Sequence, residues 1–495
     1  ADALTTGSRN TAIGRSALTL DTAGERAVAV GFGALQSQNF TSSNENYNVA
    51  VGYNAGANIT TGTDNTAVGG KALQINTTAS DNTAIGTSAL EANTSGTPNT
   101  AVGKDALKAN TTGNSNVAVG GGALGANTTG GGNTGIGRQA LDANTTADHN
   151  TAVGFASMTS TTTGTQNTSV GSVSFQQNTT GQLNTAIGYA ALNANTTGSN
   201  NSAVGNSALA ANTSAGDNTG LGFKALAVNT TGTDNTAAGA FALQRNTTGI
   251  DNTALGYDCL GNNTTANNNV GIGHNTLQAN TTGANNTACG RRGLTNNTTA
   301  SNNTVVGVDA GFSNTTGSGL TAVGLDAGFA NTTGIDNVAM GRSTLDACTT
   351  GNDNTCIGAN AGGAITTGST NTCIGSTAGD AIQTGSSNII IGVSSDCPHD
   401  GANCIALGVN VINTTNDQFS FGKASNVVSN IFTANATFSR SSDLHKKTNI
   451  EDTDLGLSFI NELRPVTFNW KPNSEFPTHY EDYSETENHM DTETN

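Results

Sequence analysis

Over most of the chain, apolar residues come in two short groups that recur every seventeen residues. In the unit NTAVGGKALQINTTASD, residues 65–81, the groups are Ala67-Val68 and Ala72-Leu73, and what lies between is mostly Asn, Thr and Gly. The glycine closing each N-T-A-V/I-G phrase stands at Gly52, Gly69, Gly86 and Gly103, and continues in steps of seventeen to Gly392. Gly14 and Gly31 precede this run, with four extra residues before Gly52, and Gly408 and Gly422 follow at shorter spacing. About 25 units are present, and such constancy points to a solenoid in which each unit touches mainly its neighbours.

Helices are excluded because Asn, Thr and Gly recur every few positions and would stop one within about a turn. The pattern predicts an all-β fold, a parallel β-solenoid whose coil has two strands, residues 65–69 and 72–77, with turns at 69–71 and 78–81. Alternation along the first strand puts Thr66 and Val68 on one side, with Leu73 joining them, and Asn65, Ala67 and Gly69 on the other. The expected interior is the Val68 side. The Ala67 column (Ala84, Ala101, Ala118 and onward) is then a smooth outer stripe suited to contact with another copy of the chain. The competing reading is that a thin coil needs tiny side chains inside.

Asparagines recur at the Asn65 and Asn76 positions, so each lies over its copy in the neighbouring coil, where stacked amides can bond at the strand spacing of ~4.8 Å. Most also read N-x-T/S, a glycosylation sequon, but a glycan on every coil would crowd at that spacing. With ~4.8 Å per coil the solenoid is a rod on the order of 120 Å long.

Composition alone would suggest low complexity: 34% apolar residues, 4% aromatic and 64 glycines. Only 11% of residues are charged and there are five prolines, which disorder seldom shows and a repeat explains. The net charge is −17, and residues 441–495 hold 12 acidic and 4 basic side chains, −8 of that total. No basic patch with interleaved aromatics argues for nucleic acid. No apolar run approaches the ~18–20 residues of a membrane span.

The seven cysteines are odd in number and lack metal-site spacing. Cys356 and Cys373 occupy the same place on successive repeats, Cys289 replaces a repeat valine and Cys348 a repeat asparagine. They read as small buried ladder residues, against the alternative of a disulfide such as Cys397–Cys404. His445, His479 and His489 are too widely spaced for a metal site and read as solvated. Neither a metal nor a cofactor is expected.

The N-T-A-V/I-G…A-L…N-T-T-G coils of residues 8–422 resemble the left-handed β-roll of YadA-type trimeric adhesin heads. That resemblance implies a left-handed roll and a parallel homotrimer. After Gly422 the texture changes. Residues 423–441 read as a neck, and Leu455, Leu457, Phe459, Ile460 and Leu463 have helical spacing, with Asp452 or Thr453 as cap and Pro465 as stop before a strand at 466–470. The resulting division is a solenoid at 1–422, the neck, and a partial α+β domain at 442–495.

The phrases SDLHKKTNI at 442–450 and LGLSFINELRPVTFNWK at 455–471 resemble the start of the intramolecular chaperone domain, peptidase S74, of phage tail spikes and fibres. The resemblance implies a domain that trimerises, assists folding of the preceding β-structure and then cuts itself off with a Ser–Lys dyad. Carried onto this chain, Ser442 is the nucleophile, Lys447 its base and Ser441–Ser442 the scissile bond. Lys447 must be neutral to take the proton, which desolvation can supply. The chain departs from the family at His445, where an arginine is usual, and in the acidic stretch 472–495, where the family continues with further helix and sheet.

These features imply a structural trimeric fibre of a virus, either a phage or a large DNA virus. It would sit on the virion surface, contact other virion proteins and reach a host cell-surface receptor, glycan or protein. Its chemistry would be at most single-turnover self-cleavage. The alternatives are a bacterial trimeric adhesin head and an ice- or surface-binding solenoid using pairs such as Thr77–Thr78. A polysaccharide-cutting enzyme would need paired carboxylates, whereas charges such as Lys104, Asp105, Arg138 and Asp142 are scattered.

Overall fold

Each repeat makes one coil and gives one short strand to a continuous ladder. Thr66–Val68 pairs in parallel and in register with Val49–Val51 before it and Thr83–Ile85 after it, so Ala50, Ala67 and Ala84 stand in one column. The sheet has 27 strands, running from Thr11–Ile13 to Ser439–Arg440. All pair in parallel until Gln418–Lys423, which turns back antiparallel onto Asn426–Ile431. The computed structural model describes residues 3–433 and the backbone of Ser439–Arg440, and among them there is no helix. The solenoid lies in one compact unit, Ala1–Arg440.

The four extra residues before Gly52 are accommodated at the edge of the second coil. There Gly24–Glu25 pairs with Asn44–Glu45 in a separate two-stranded sheet. Inside that corner Asp21 replaces the amides of later coils, accepting from Gln38 Nε2 at 2.9 Å and from the Phe40 amide at 3.0 Å.

The second predicted strand does not form. Residues 70–75 are turns, because Lys71 (φ 63°) and Leu73 (φ 50°) adopt left-handed backbone that an extended strand cannot contain. Coil-to-coil bonding nevertheless continues through them, with the Leu73 amide donating to Ala89 O at 3.0 Å. Gly69 is required for a different reason. It sits at φ 131°, and a Cβ there would stand 2.6 Å from the Gly86 carbonyl group stacked over it.

The alternation of Thr66–Val68 is as expected, but its inside and outside are exchanged. Ala67, Ala84, Ala101 and Ala118 are buried in the coil, while Val68 and its column face outward. Volume decides this. The left-handed backbone at Leu73 sends its fully buried side chain into the coil beneath Ala67, beside Ala72. A valine column added to that space would overpack it. The small-side-chain reading is therefore correct, and the alanine stripe is core.

Five places show that the interior volume is conserved coil by coil. Where Leu73's column changes to glycine, at Gly56, Gly311, Gly328, Gly362 and Gly379, the backbone keeps φ between 57° and 67°. A larger neighbour then fills the space. Ile59 Cδ1 lies 3.0 Å from the missing Cβ of Gly56, and Leu320 Cδ2 lies 3.0 Å from that of Gly311. Ile365 Cδ1 and Cys356 Sγ approach the Gly362 position at 2.9 and 2.6 Å. Glycine relieves a left-handed leucine, whose backbone costs roughly 1–2 kcal/mol, and the isoleucine restores the packing.

With little apolar volume per coil, buried amides bind the corner. Asn110 Nδ2 donates to Asn93 Oδ1 at 2.9 Å and to Gly113 O at 3.0 Å, and Asn127 Nδ2 donates to Asn110 Oδ1 at 2.8 Å. In the other column Asn82 N and Nδ2 donate to Asn65 Oδ1 at 3.1 and 3.3 Å. The first of these columns breaks at Thr161, and Asn144 Oδ1 is left buried without a partner.

Thr161→Asn should mend that break and stabilise the protein by about 1 kcal/mol, as one recovered buried hydrogen bond predicts, read as a raised midpoint in denaturant melts. Ala203→Leu should instead destabilise by about 1–3 kcal/mol through overpacking, where an outward alanine would tolerate the change.

Candidate interaction face

Because Ala67 points inward, its neighbours Thr66 and Val68 form two outward columns along the entire parallel ladder. In the second column Ile85 is 41% exposed, Val204 38%, Leu221 41% and Ile357 37%. Val, Ile, Leu or Met occupies nearly every position, with exceptions at Ala238 and Cys289. Toward the C-terminal end the same two columns become Ile405 and Leu407, then Phe419 and Phe421. The face is continuous, since every strand is in register, and it carries no charged side chain from Thr11 to Ile391.

Aromatic side chains line the turn beside this face. Phe223, Phe241, Tyr257 and His274 form a run across successive coils, with centroid separations of 5.2, 5.7 and 5.1 Å. Beyond it, Arg292 braces two coils. Its Nε and Nη2 donate to the two Asp309 oxygens at 2.7 and 2.6 Å, and its guanidinium lies 5.2 Å from the Phe312 ring centroid. Those hydrogen bonds hold Arg292 above its ordinary range.

Other surfaces offer less. The asparagines of the Asn76 column that read N-x-T/S are buried and their amides are engaged in the column, so they are structural residues and not free glycan acceptors. In most Thr pairs the first hydroxyl is committed to the ladder, as in Thr111 Oγ1 donating to Thr128 O at 3.0 Å. Asp326 and Asp346 line an open hollow with Phe329, where burial raises the Asp346 carboxyl above its usual value. Among the described residues no three His, Cys, Asp or Glu side chains converge as metal ligands, and no helix is long and apolar enough to cross a membrane.

Ser442, Lys447 and His445, with the Ser441–Ser442 bond and the helix and strand expected at 452–470, lie outside the described residues. The outward Val/Ile column was missed as a surface by sequence reasoning, which placed it in the core. The signal was present in the exchanges at Gly56, Gly311 and Gly362. They keep constant a volume that includes the Leu73 column and leaves no room for Val68.

Residues 442–489 match the model of the Peptidase_S74 family, described as chaperone of endosialidase. The match begins at Ser442 and takes in Lys447. A search of curated proteins finds no match to the chain. A parallel β-solenoid followed by a segment similar to this chaperone fits a structural, tail-fibre-like protein.

If the outward column is a contact face, its substitution should spare the fold. Ile187→Asp with Val204→Asp is expected to leave the far-ultraviolet circular dichroism spectrum unchanged, because both side chains lie outside the coil. Loss of the β spectrum would instead place them in the core.

Proposed function

We propose that this chain is the subunit of a trimeric viral fibre or spike, in which three copies run parallel and meet along the Thr/Val columns. One observation carries the reading: an uncharged, half-exposed apolar face runs along the parallel ladder from Thr11 to Ile391, ahead of a segment similar to a folding chaperone. A single soluble chain rarely leaves so long a contiguous apolar strip in water. Packing three such strips about an axis covers them without exposing a sheet edge. The likeness of the coils to YadA-type heads supports the same arrangement.

The chaperone segment answers a difficulty that the repeat creates. Near-identical coils allow one chain to slip against another by a whole coil with little loss of contact. Clamping the three chains at their C-terminal ends sets the register before the solenoids zip together. Ser442 Oγ then attacks the carbonyl carbon of Ser441 while Lys447 takes its proton, and the Ser441–Ser442 C–N bond breaks as the proton passes to the leaving amine. Water hydrolyses the ester left on Ser442 Oγ, so the clamp leaves the fibre after a single cut. The fibre belongs to the virion surface, among other virion proteins, and the solenoid carries a host-attachment function toward a glycan or protein receptor. The bacterial adhesin head shares the roll and lacks a reason for the chaperone segment.

Two measurements test this reading. Light scattering should return three chains for the parent and one for the Ile187→Asp/Val204→Asp variant, and a monomeric parent would overturn the trimer. Intact mass of the expressed chain should show a product ending at Ser441 that Ser442→Ala abolishes. Equal full-length masses in both would refute the self-cleavage.

A further inference from the structure

The seven cysteines do not all have the same reason to be there. Cys259 fills the space left by Gly271, its Sγ 2.6 Å from where a Cβ would stand, and Cys356 does the same opposite Gly362. Cys373 likewise packs into the gap at Gly379. Cys289 takes a valine's place on the outward face. Cys348 stands in for an asparagine and points its thiol at Gly351 O, 3.7 Å away. Cys397 and Cys404 fit none of these volume exchanges.

These two occupy one corner of one coil, where the two asparagine columns come together. Side chains of the two columns can meet there: just after Leu320 interrupts one column, Asn337 Nδ2 donates to Asn331 Oδ1 at 3.4 Å. Cys404 replaces the asparagine of one column, since its amide donates to Asn388 Oδ1 at 2.9 Å just as each earlier asparagine does to its predecessor. Cys397 takes the place beside Gly401 that Cys348 takes beside Gly351, each Sγ 3.1 Å from the glycine's missing Cβ. Both are buried, at 3% and 0% exposure. The two thiols interact in this corner, which pushes Cys397 up and draws Cys404 down from the ordinary thiol range, and Cys404 Sγ donates to Thr415 O at 3.3 Å.

We infer that Cys397 and Cys404 form an intramolecular disulfide, a staple that closes the loop 398–403 at the last full corner of the solenoid. The staple forms during folding, by exchange with a small-molecule disulfide before the corner is buried. The Cys404 thiolate attacks one sulfur of oxidised glutathione and releases one glutathione thiolate. The Cys397 thiolate then attacks Cys404 Sγ in the mixed disulfide and releases the second. Two protein thiols are oxidised, one glutathione disulfide is reduced, and the two protons given up by the protein thiols end on the two glutathione sulfurs. The inference rests on the corner geometry and is independent of the fibre reading.

Cys356 and Cys373 are the competing pair, as register partners on adjacent strands. Their sulfurs are held as packing against Gly362 and Gly379, and the two pairs are separable by digestion. The full chain is refolded in a glutathione redox buffer, acid-quenched, alkylated in denaturant and cut before aspartate residues. The expected product joins peptide 396–399 to peptide 400–416, parts on reduction, and comes from a chain that takes up two fewer alkyl groups than the seven of the reduced protein. It should persist in Cys356→Ser and vanish in Cys397→Ser, where Cys404 becomes alkylated. Fully alkylated 396–399 and 400–416 in the parent would overturn the inference. So would a link confined to peptide 353–379, or one between chains.

Discussion

A column in which every side chain must tolerate its own copy at the ladder spacing of ~4.8 Å is the constraint on which this structure depends. Few residue types satisfy it when buried. An asparagine does, because its amide both donates and accepts and so bonds the copies above and below, as along Asn93, Asn110 and Asn127. A carboxylate or ammonium does not, because like charges would stack in a dry corner. This is why a long chain holds so little charge in its repeats, and why the buried Asp21 occurs at the irregular second coil, with Gln38 beside it and no carboxylate copy.

The same constraint sets the small core. Alanine, alanine and leucine in each coil bury modest apolar surface, on the order of 2 kcal/mol for the leucine. Satisfied backbone and amide hydrogen bonds must therefore accompany it. Breaks in one column have visible consequences in the next: Thr161 orphans an oxygen of Asn144, and Gly311 is met by Leu320. The coil behaves as a container of constant volume, and its residues exchange in compensating sets.

The outward face follows from what the interior cannot hold. Once Ala67 and Leu73 fill the coil, Val68 has to point away, and in-register pairing multiplies one half-exposed valine into a continuous strip. A fibre seam, if three chains share it, is thus a by-product of the coil's small bore. At the C-terminal end the ladder stops where Gln418–Lys423 turns back on Asn426–Ile431, with Phe419 and Phe432 rings 6.0 Å apart closing the parallel run.

By itself the sequence determined the repeat length, the parallel in-register ladder, the stacked asparagines and the C-terminal segment similar to a chaperone, because each is written as identity at a fixed spacing or as a contiguous phrase. It did not determine which side of Thr66–Val68 is the interior. Alternation says only that neighbours point opposite ways, and both choices satisfied it. Nor did it show that the Ala72–Leu73 segment is a turn, because a leucine in left-handed backbone is locally unfavourable and persists only when packing imposes it. The tertiary structure decided both together: the turn at Leu73 carries its side chain into the coil, the remaining volume takes alanine in most coils and valine where glycines make room, as at Val305 beside Gly293 and Gly311, and the apolar column is left facing outward.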